Sequence, residues 1–246
     1  MEFGENGAVI SNTDEELSRT NDTSNPHAFE NGPRSLTGLF NWARAGLLGF
    51  IAAELLLVFA ALFLIWWYLP STNVQFSTPQ LVVISWTITI FGIVQTVLFW
   101  FCVLLVSRFT YRAMKNLYTV GSSFPEMSPG WAVGWYFIPI ANLWQPAKGM
   151  SQIYHGSHHS IGEPVPSESR IALWWTCWIL TNILANISVR TAGGFSNMTP
   201  GIVSFSFDAA SSLTGALSAV FLLRLMTPIA RRQELFKHGG VANVFD

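Results

Sequence analysis

Four stretches of this sequence are long, apolar and almost free of charge, and they constrain the fold more than any other feature. A helix needs about 20 apolar residues to cross the hydrocarbon core of a bilayer. Stretches of this kind cover residues 43–68, 81–106, 171–189 and 207–229. Because lipid offers the backbone no hydrogen bonds, such stretches span a membrane as helices. The sequence therefore predicts an all-α protein, an integral membrane four-helix bundle.

The composition of the whole chain supports the same prediction. Hydrophobic residues make up 50% of the 246 residues and charged residues only 11%. An ordinary soluble domain has roughly 25% charged residues, so lipid is expected to cover much of this surface. Cys102 and Cys177 both lie in apolar stretches and are expected to be small buried groups without a disulfide. The net charge is −1 and no basic stripe is present, so no nucleic-acid partner is expected.

The basic residues alternate between the connecting segments. Residues 69–80 contain no Lys or Arg and residues 190–206 contain one, whereas the N-terminal, middle and C-terminal segments carry nearly all the others. Lys and Arg are enriched in loops that stay on the cytoplasmic side of a membrane. The pattern predicts that both termini and the middle connection are cytoplasmic, in a multi-pass protein of the cell membrane.

Three regions are expected along the chain. Residues 1–38 are mostly polar and acidic, which is typical of a segment that cannot bury enough apolar surface to fold. We predict that they form a disordered cytoplasmic tail. Residues 39–230 are predicted to form the four-helix transmembrane domain, and residues 231–246 a basic cytoplasmic tail.

The connection between the second and third spans has two distinctive parts. A short surface helix is predicted over residues 108–118, with Arg108, Arg112 and Lys115 on one face, as suits the headgroup layer of a membrane. The apolar run 131–141 follows, and it is about half the length needed to cross. Pro139 also interrupts it. We therefore predict a Pro-broken helical segment that is either re-entrant or interfacial, with both ends on the cytoplasmic side.

Residues 128–156 contain an unusual spacing of Trp, Pro and Asn. The residues that define it are Trp131, Trp135, Pro139, Asn142, Trp144 and Pro146, with a lead-in of Tyr111, Arg112, Asn116 and Leu117. This pattern resembles the bacterial family of multi-pass membrane proteins called domain of unknown function (DUF) 4328. The likeness covers roughly residues 43–229. The resemblance implies a multi-pass domain of the bacterial inner membrane, and it implies no reaction.

Glu54 is the sharpest candidate for a functional residue. An ionisable group near the bilayer centre costs about 3 kcal/mol and usually faces the inside of a bundle. Counting about 1.5 Å per residue along the other spans gives a set of four polar residues at one depth: Glu54, Gln95, Asn182 and Ser218. We hypothesise that they form an intramembrane polar layer. Such a layer is either a proton or solute site or a set of interhelical hydrogen bonds that hold the bundle together.

No pattern in the sequence indicates an enzyme. The Walker and Rossmann glycine patterns, HExxH and a Ser/His/Asp constellation are all missing from the sequence, so neither catalysis nor a cofactor is expected. His155, His158 and His159 come closest to a metal-binding set, but they lack the ligand spacing of a compact site, and no metal is predicted.

Two functional hypotheses follow. The first is an interaction or scaffold protein, whose partners are the lipid bilayer and either other membrane proteins or a second copy of itself. The alternative is a small transporter or channel with a midplane polar site around Glu54.

Overall fold

The computed structural model of the protein describes residues 25–68, 77–164, 167–192 and 200–242. These residues fold into helices joined by turns, which confirms the predicted all-α class. Two 3₁₀ turns, Trp135–Phe137 and Ala141–Leu143, lie between the third and fourth helices. The helices are α1 (Thr37–Tyr68), α2 (Thr78–Thr119), α3 (Pro129–Gly134), α4 (Gln145–His159), α5 (Ser169–Ala192) and α6 (Pro200–Ala242).

Among the described residues, four helices are long and apolar enough to cross a membrane, namely α1, α2, α5 and α6. The predicted four-helix membrane bundle is therefore confirmed. Helix α6 is central because it packs along both α1 and α5, while α2 packs mainly along α1 and hardly contacts α5. The consequence is a bundle that is closed on the α6 side and open between α2 and α5.

Small and hydroxyl-bearing side chains form the contact between α5 and α6. The Thr181 hydroxyl donates to the Thr214 hydroxyl at 2.9 Å, and the Ser211 hydroxyl donates to the Thr181 carbonyl at 3.1 Å. Helices in lipid associate through close packing and hydrogen bonds of this kind, because lipid is as apolar as their side chains. This seam fixes α5 against α6.

Two helices extend well beyond the predicted spans. Helix α2 has 42 residues and α6 has 43, so each is about 63 Å long, roughly twice the hydrocarbon thickness. The separate surface helix predicted over residues 108–118 is wrong, since these residues continue α2. The predicted tail 231–246 is helical up to Ala242, and residues 243–246 lie outside the described part.

The N-terminal segment also differs from the prediction. Residues 25–36, which we call the strap, run along the end of α2 and are not disordered, and residues 37 and 38 begin α1. The Arg34 amide donates to Asn116 Oδ1 at 2.8 Å, and Leu36 is fully buried. The physical reason is that a few contacts, such as the Arg34 hydrogen bond and the burial of Leu36, suffice to fix a polar segment on the folded helices. Residues 1–24 lie outside the described residues.

A compact core joins the strap, the end of α2, α4 and the end of α6. We call this the basic end of the molecule, because Arg112 and Lys115 of α2 and Arg231 of α6 lie there. Its fully or almost fully buried side chains are Phe109, Met114, Leu117, Met150, Ile153, Tyr154, Leu225, Met226 and Ile229. The basic end is thus built like the interior of a water-soluble domain, and it carries α4 as an added layer.

Candidate functional site

A cavity of about 340 Å³ lies between the four spanning helices. Its walls are mainly apolar and aromatic, and Tyr136 of the first 3₁₀ turn closes it toward the basic end. It coincides with the gap between α2 and α5. Besides Tyr136, the polar residues in its wall are Glu54, Gln95, Thr96, Ser107, Thr181, Asn182 and Ser218.

Glu54 of α1 and Gln95 of α2 form the polar centre of this cavity. Gln95 Nε2 donates to Glu54 Oε1 at 2.9 Å, and the Ser212 side chain also hydrogen-bonds to the Glu54 carboxyl group. Glu54 is only 7% exposed. A Cβ atom at Gly215 would lie 3.3 Å from Glu54 Oε1, so the missing side chain lets α6 approach the carboxyl group closely.

The other two residues of the predicted polar layer are placed differently. Ser218 is buried and its hydroxyl donates to the Trp174 carbonyl at 3.3 Å. Asn182 is exposed, and its Nδ2 donates to the Trp178 carbonyl of its own helix at 2.7 Å. All four predicted residues line one cavity, but the structure joins only Glu54 and Gln95 by a hydrogen bond.

One buried polar atom of the cavity wall, Gln95 Oε1, has no hydrogen-bond partner among the described residues. Buried polar groups of this kind are uncommon and call for a bound water or ligand. The Tyr136 hydroxyl lies near the Thr110 side chain, and burial raises the pKa of Tyr136 to about 12, so the hydroxyl keeps its proton and can donate. The wall thus offers a carboxyl group, an acceptor and a hydroxyl.

The remaining walls are aromatic. The rings of Phe99 and Trp178 stack at 5.9 Å with an interplanar angle of 4°, across the gap between α2 and α5. Trp174 and Trp175 meet edge to face at 5.0 Å. Rigid aromatic walls with a few polar groups are typical of sites for small organic molecules.

The Pro-broken segment lies beside the cavity at the basic end, where its Tyr136 lines the wall. Trp175 Nε1 donates to the Leu143 carbonyl at 2.7 Å, which fixes the second 3₁₀ turn against α5. The residues before the segment contact the helix that follows it, since the Glu126 amide donates to Gln152 Oε1 of α4 at 3.1 Å. The segment therefore enters and leaves at the same end, as predicted.

The family-pattern residues build this segment. Pro139 stands between the two 3₁₀ turns, and Pro146 is buried in the first turn of α4. The Trp131 and Trp135 rings stack at 4.6 Å. Asn142 Oδ1 is buried without a hydrogen-bond partner in the described part, and Trp144 is exposed. The six pattern residues thus shape a turn beside the cavity and do not line it themselves, whereas Tyr136, which lies between them in the sequence, does.

The three predicted surface cations each occupy a different environment. Arg108 is exposed. Arg112 Nη1 donates to the Ser35 carbonyl at 3.0 Å, which ties α2 to the strap. The Lys115 ammonium lies 4.7 Å from the centroid of the Phe29 ring. Two of the three cations therefore hold the strap, a role that the sequence did not indicate.

The three histidines of α4, His155, His158 and His159, do not form a metal site. The His158 Nδ1 lies 2.6 Å from the Tyr154 carbonyl. Burial lowers the pKa of His158, so the ring stays neutral at neutral pH. Within the described ranges, no three His, Cys, Asp or Glu side chains are grouped to hold a metal ion.

Sequence reasoning missed several residues of the site. Tyr136, Ser212 and Gly215 were not predicted, although Tyr136 lies inside the family pattern. Ser212 and Gly215 belong to a run of small residues in the fourth span, where such residues are the usual signal for close helix contacts. That signal is present in residues 209–215, all of which are small except Leu213.

A family model described as "Domain of unknown function (DUF4328)" matches residues 77–231. The chain belongs to the DUF4328 family. The match covers the Pro-broken segment with all six pattern residues, and this confirms the resemblance. It begins after α1 rather than near residue 43, so Gln95, Asn182 and Ser218 lie inside the matched part and Glu54 lies outside it. No curated protein and no solved structure matches the chain.

Proposed function

We propose that this DUF4328 membrane protein binds a small, largely apolar molecule in the cavity between its spanning helices. The observation that carries the proposal is a cavity of about 340 Å³ that reaches a buried Glu54–Gln95 pair. Known ligand sites have volumes of about 300–1,000 Å³. If Glu54 and Gln95 served only to hold the helices together, a cavity beside them would not be needed. The cavity therefore favours a binding site over a purely structural role for this pair.

The chemistry of the walls restricts the ligand. A bare ion or a sugar would lose its hydration against Trp174, Trp178 and Phe99, with few polar groups to replace the water. An amphiphile fits better, because its apolar body would contact the aromatic rings while one hydroxyl, amine or amide group reaches Glu54 and Gln95. The open gap between α2 and α5 provides a route from the lipid. The proposal is for binding or carriage rather than catalysis.

Replacement of Glu54 by Gln tests this site. The variant keeps the shape of the side chain but replaces one carboxyl oxygen by an amide group, and we expect roughly tenfold weaker binding, since leaving a buried polar group of the ligand or the site without its partner costs about 1–3 kcal/mol. Val103→Trp fills the cavity from α2 and is expected to abolish binding. The probe is a long-chain alcohol bearing a diazirine, cross-linked by light to the purified protein and located by mass spectrometry of peptides.

The matched control is Asp208→Asn, an acid-to-amide change at an exposed position of α6 outside the cavity wall. It should label like the wild type. Equal labelling of the wild type, Glu54→Gln and Val103→Trp would contradict the proposed site. Melting temperatures of all variants in detergent show whether a loss of labelling reflects unfolding.

A second candidate function is an interaction or scaffold protein. It is favoured by the first part of α2, where the side chains of residues 85–90 are exposed all around the helix. Trp86 alone is 64% exposed. A partner protein or a second copy would cover this surface, and so would lipid. In-membrane cross-linking from Trp86→Cys that yields only monomers would count against this candidate.

We further propose that the basic end faces the cytoplasm of a bacterial cell, with both termini on that side. The support is the rule that Lys and Arg are enriched in cytoplasmic loops. In a variant without Cys102 and Cys177, a membrane-impermeant maleimide should label Thr78→Cys in intact cells. It should label Ser123→Cys only after lysis. The reverse pattern would refute the orientation.

A further inference from the structure

A second concave site lies at the basic end and is distinct from the cavity that contains Glu54, although Ser107 lines both. It has a volume of about 510 Å³ and is formed where the strap, the first turn of α1, α2 and α3 meet. Three arginines, Arg34, Arg108 and Arg112, line it together with the apolar side chains of Phe29, Leu39 and Val133. We call this site the arginine groove.

The charge of the arginine groove is entirely positive. Arg34, Arg108 and Arg112 line it and no acidic residue does. In the described part of the chain, the ion pairs involve other residues, so none of these three guanidinium groups is neutralised by a carboxylate. Like charges in one groove repel each other, and a bound anion would remove that repulsion. Guanidinium groups match the geometry of phosphate oxygens.

The groove is partly preorganised for an anion. Arg112 is held by its hydrogen bond to the Ser35 carbonyl at 3.0 Å. The Arg34 guanidinium carbon lies 4.4 Å from the centroid of the Phe29 ring. Both groups therefore lose little conformational freedom when a ligand binds. Arg108 is exposed, and Tyr111, one turn further along α2, adds a hydroxyl group at the rim.

An apolar surface continues from the groove toward the bilayer. Arg108 directly follows the apolar stretch of α2. Leu104 and Phe101 lie about one and two turns before Arg108 on the same face, and they are 62% and 43% exposed. Leu39 and Val133 line the groove itself. A ligand that fits has an anionic head in the groove and a hydrocarbon chain along α2.

We propose that the arginine groove binds the phosphodiester headgroup of an anionic membrane phospholipid, whose acyl chains lie along Leu104 and Phe101. This inference is independent of the function proposed for the cavity, because the two sites share only Ser107 in their walls. The chain would thereby hold one lipid at a fixed position against the strap, beyond the general attraction of basic residues to the membrane surface.

Native mass spectrometry of the full-length protein, titrated in detergent with phosphatidylglycerol or phosphatidylcholine, tests this proposal. The wild type should retain one phosphatidylglycerol with at least about tenfold preference. Arg34→Gln and Arg108→Gln should each weaken this binding roughly fivefold, since each Arg near a lipid surface contributes about 1 kcal/mol. Arg108→Lys should retain part of it. The matched control is Arg170→Gln, an exposed arginine at the start of α5 outside the groove.

Three results would overturn the proposal. The first is equal retention of the two lipids by the wild type. The second is an equal loss in Arg170→Gln and Arg108→Gln, which would mean that only the overall charge matters. The third is displacement of the lipid by millimolar glycerol phosphate or inorganic phosphate, which would assign the groove to a soluble phosphate compound. Arg108→Gln alone decides the test if Arg34→Gln lowers the melting temperature, because Arg108 is exposed.

Discussion

Replacement of Phe109 by alanine is expected to lower the free energy of unfolding by about 4 kcal/mol, within the usual range for removing a buried aromatic ring. Phe109 is 0% exposed, and its ring centroid lies 6.5 Å from that of Phe40 on α1. The substitution would leave a void between α1 and α2 that the surrounding helices, fixed by the strap, cannot close. Unfolding of the purified protein by increasing fractions of denaturing detergent in mixed micelles measures the effect.

Leu104 provides the matched comparison. It lies five residues earlier on the same helix but is 62% exposed. Leu104→Ala should change the free energy of unfolding by less than about 1 kcal/mol, because lipid covers this side chain in the folded and the unfolded protein. If Phe109→Ala were as mild as Leu104→Ala, the end of α2 would lie on a membrane surface and not in a protein core.

Asn116→Ala is expected to destabilise the protein by about 3 kcal/mol or more, because it leaves several buried polar groups without partners at once. Asn116 Oδ1 accepts from the Arg34 amide at 2.8 Å. Its Nδ2 donates to the Arg34 carbonyl at 2.8 Å and to Gln233 Oε1 at 3.0 Å. Gln233 in turn donates to the Ser157 hydroxyl at 2.9 Å. One amide therefore joins the strap, α2 and α6, and Gln233 extends the network to α4.

The control for this prediction is Asn186→Ala. Asn186 is exposed on α5, and its Nδ2 donates only along its own helix, to the Asn182 carbonyl at 2.9 Å. Its loss should have an effect of less than about 0.5 kcal/mol. Limited proteolysis provides a second measurement, since the strap should become accessible to protease in Asn116→Ala and stay protected in Asn186→Ala. Equal stability of the two variants would show that the network does not hold the strap.

The sequence was sufficient to predict the spans, because the length of an apolar helix is set by the thickness of the bilayer. It was not sufficient to separate lipid-facing from protein-facing surfaces beyond the spans. Met114 and Leu117 form the same apolar face whether they lie on a membrane or against α4 and α6. Composition likewise gave the strap no apolar signal beyond Phe29 and Leu36, and their burial depends on a surface that only the folded chain provides.

The candidate site could also be predicted only in part. The equal depth of Glu54 and Gln95 could be predicted because the rise per residue of a helix is constant. Depth does not fix the direction in which a side chain points, however, and this explains why Asn182 points along α5 and bonds to its own helix. The closure of the cavity by Tyr136 could not be predicted, since it depends on how far the Pro-broken segment folds back toward α5.

The unbroken course of α2 gives it the properties of a lever arm. Gln95 in the cavity wall and Asn116 at the strap belong to one rod with about 32 Å between them along its axis. A tilt of about 5° around Gln95 would displace Asn116 by about 3 Å, which is enough to separate its amide from Arg34 and Gln233. On the side facing α5, α2 meets that helix through the Phe99–Trp178 ring stack rather than through close backbone packing. Any tilt of α2 about Gln95 would therefore be felt at the contact between Asn116 and the strap.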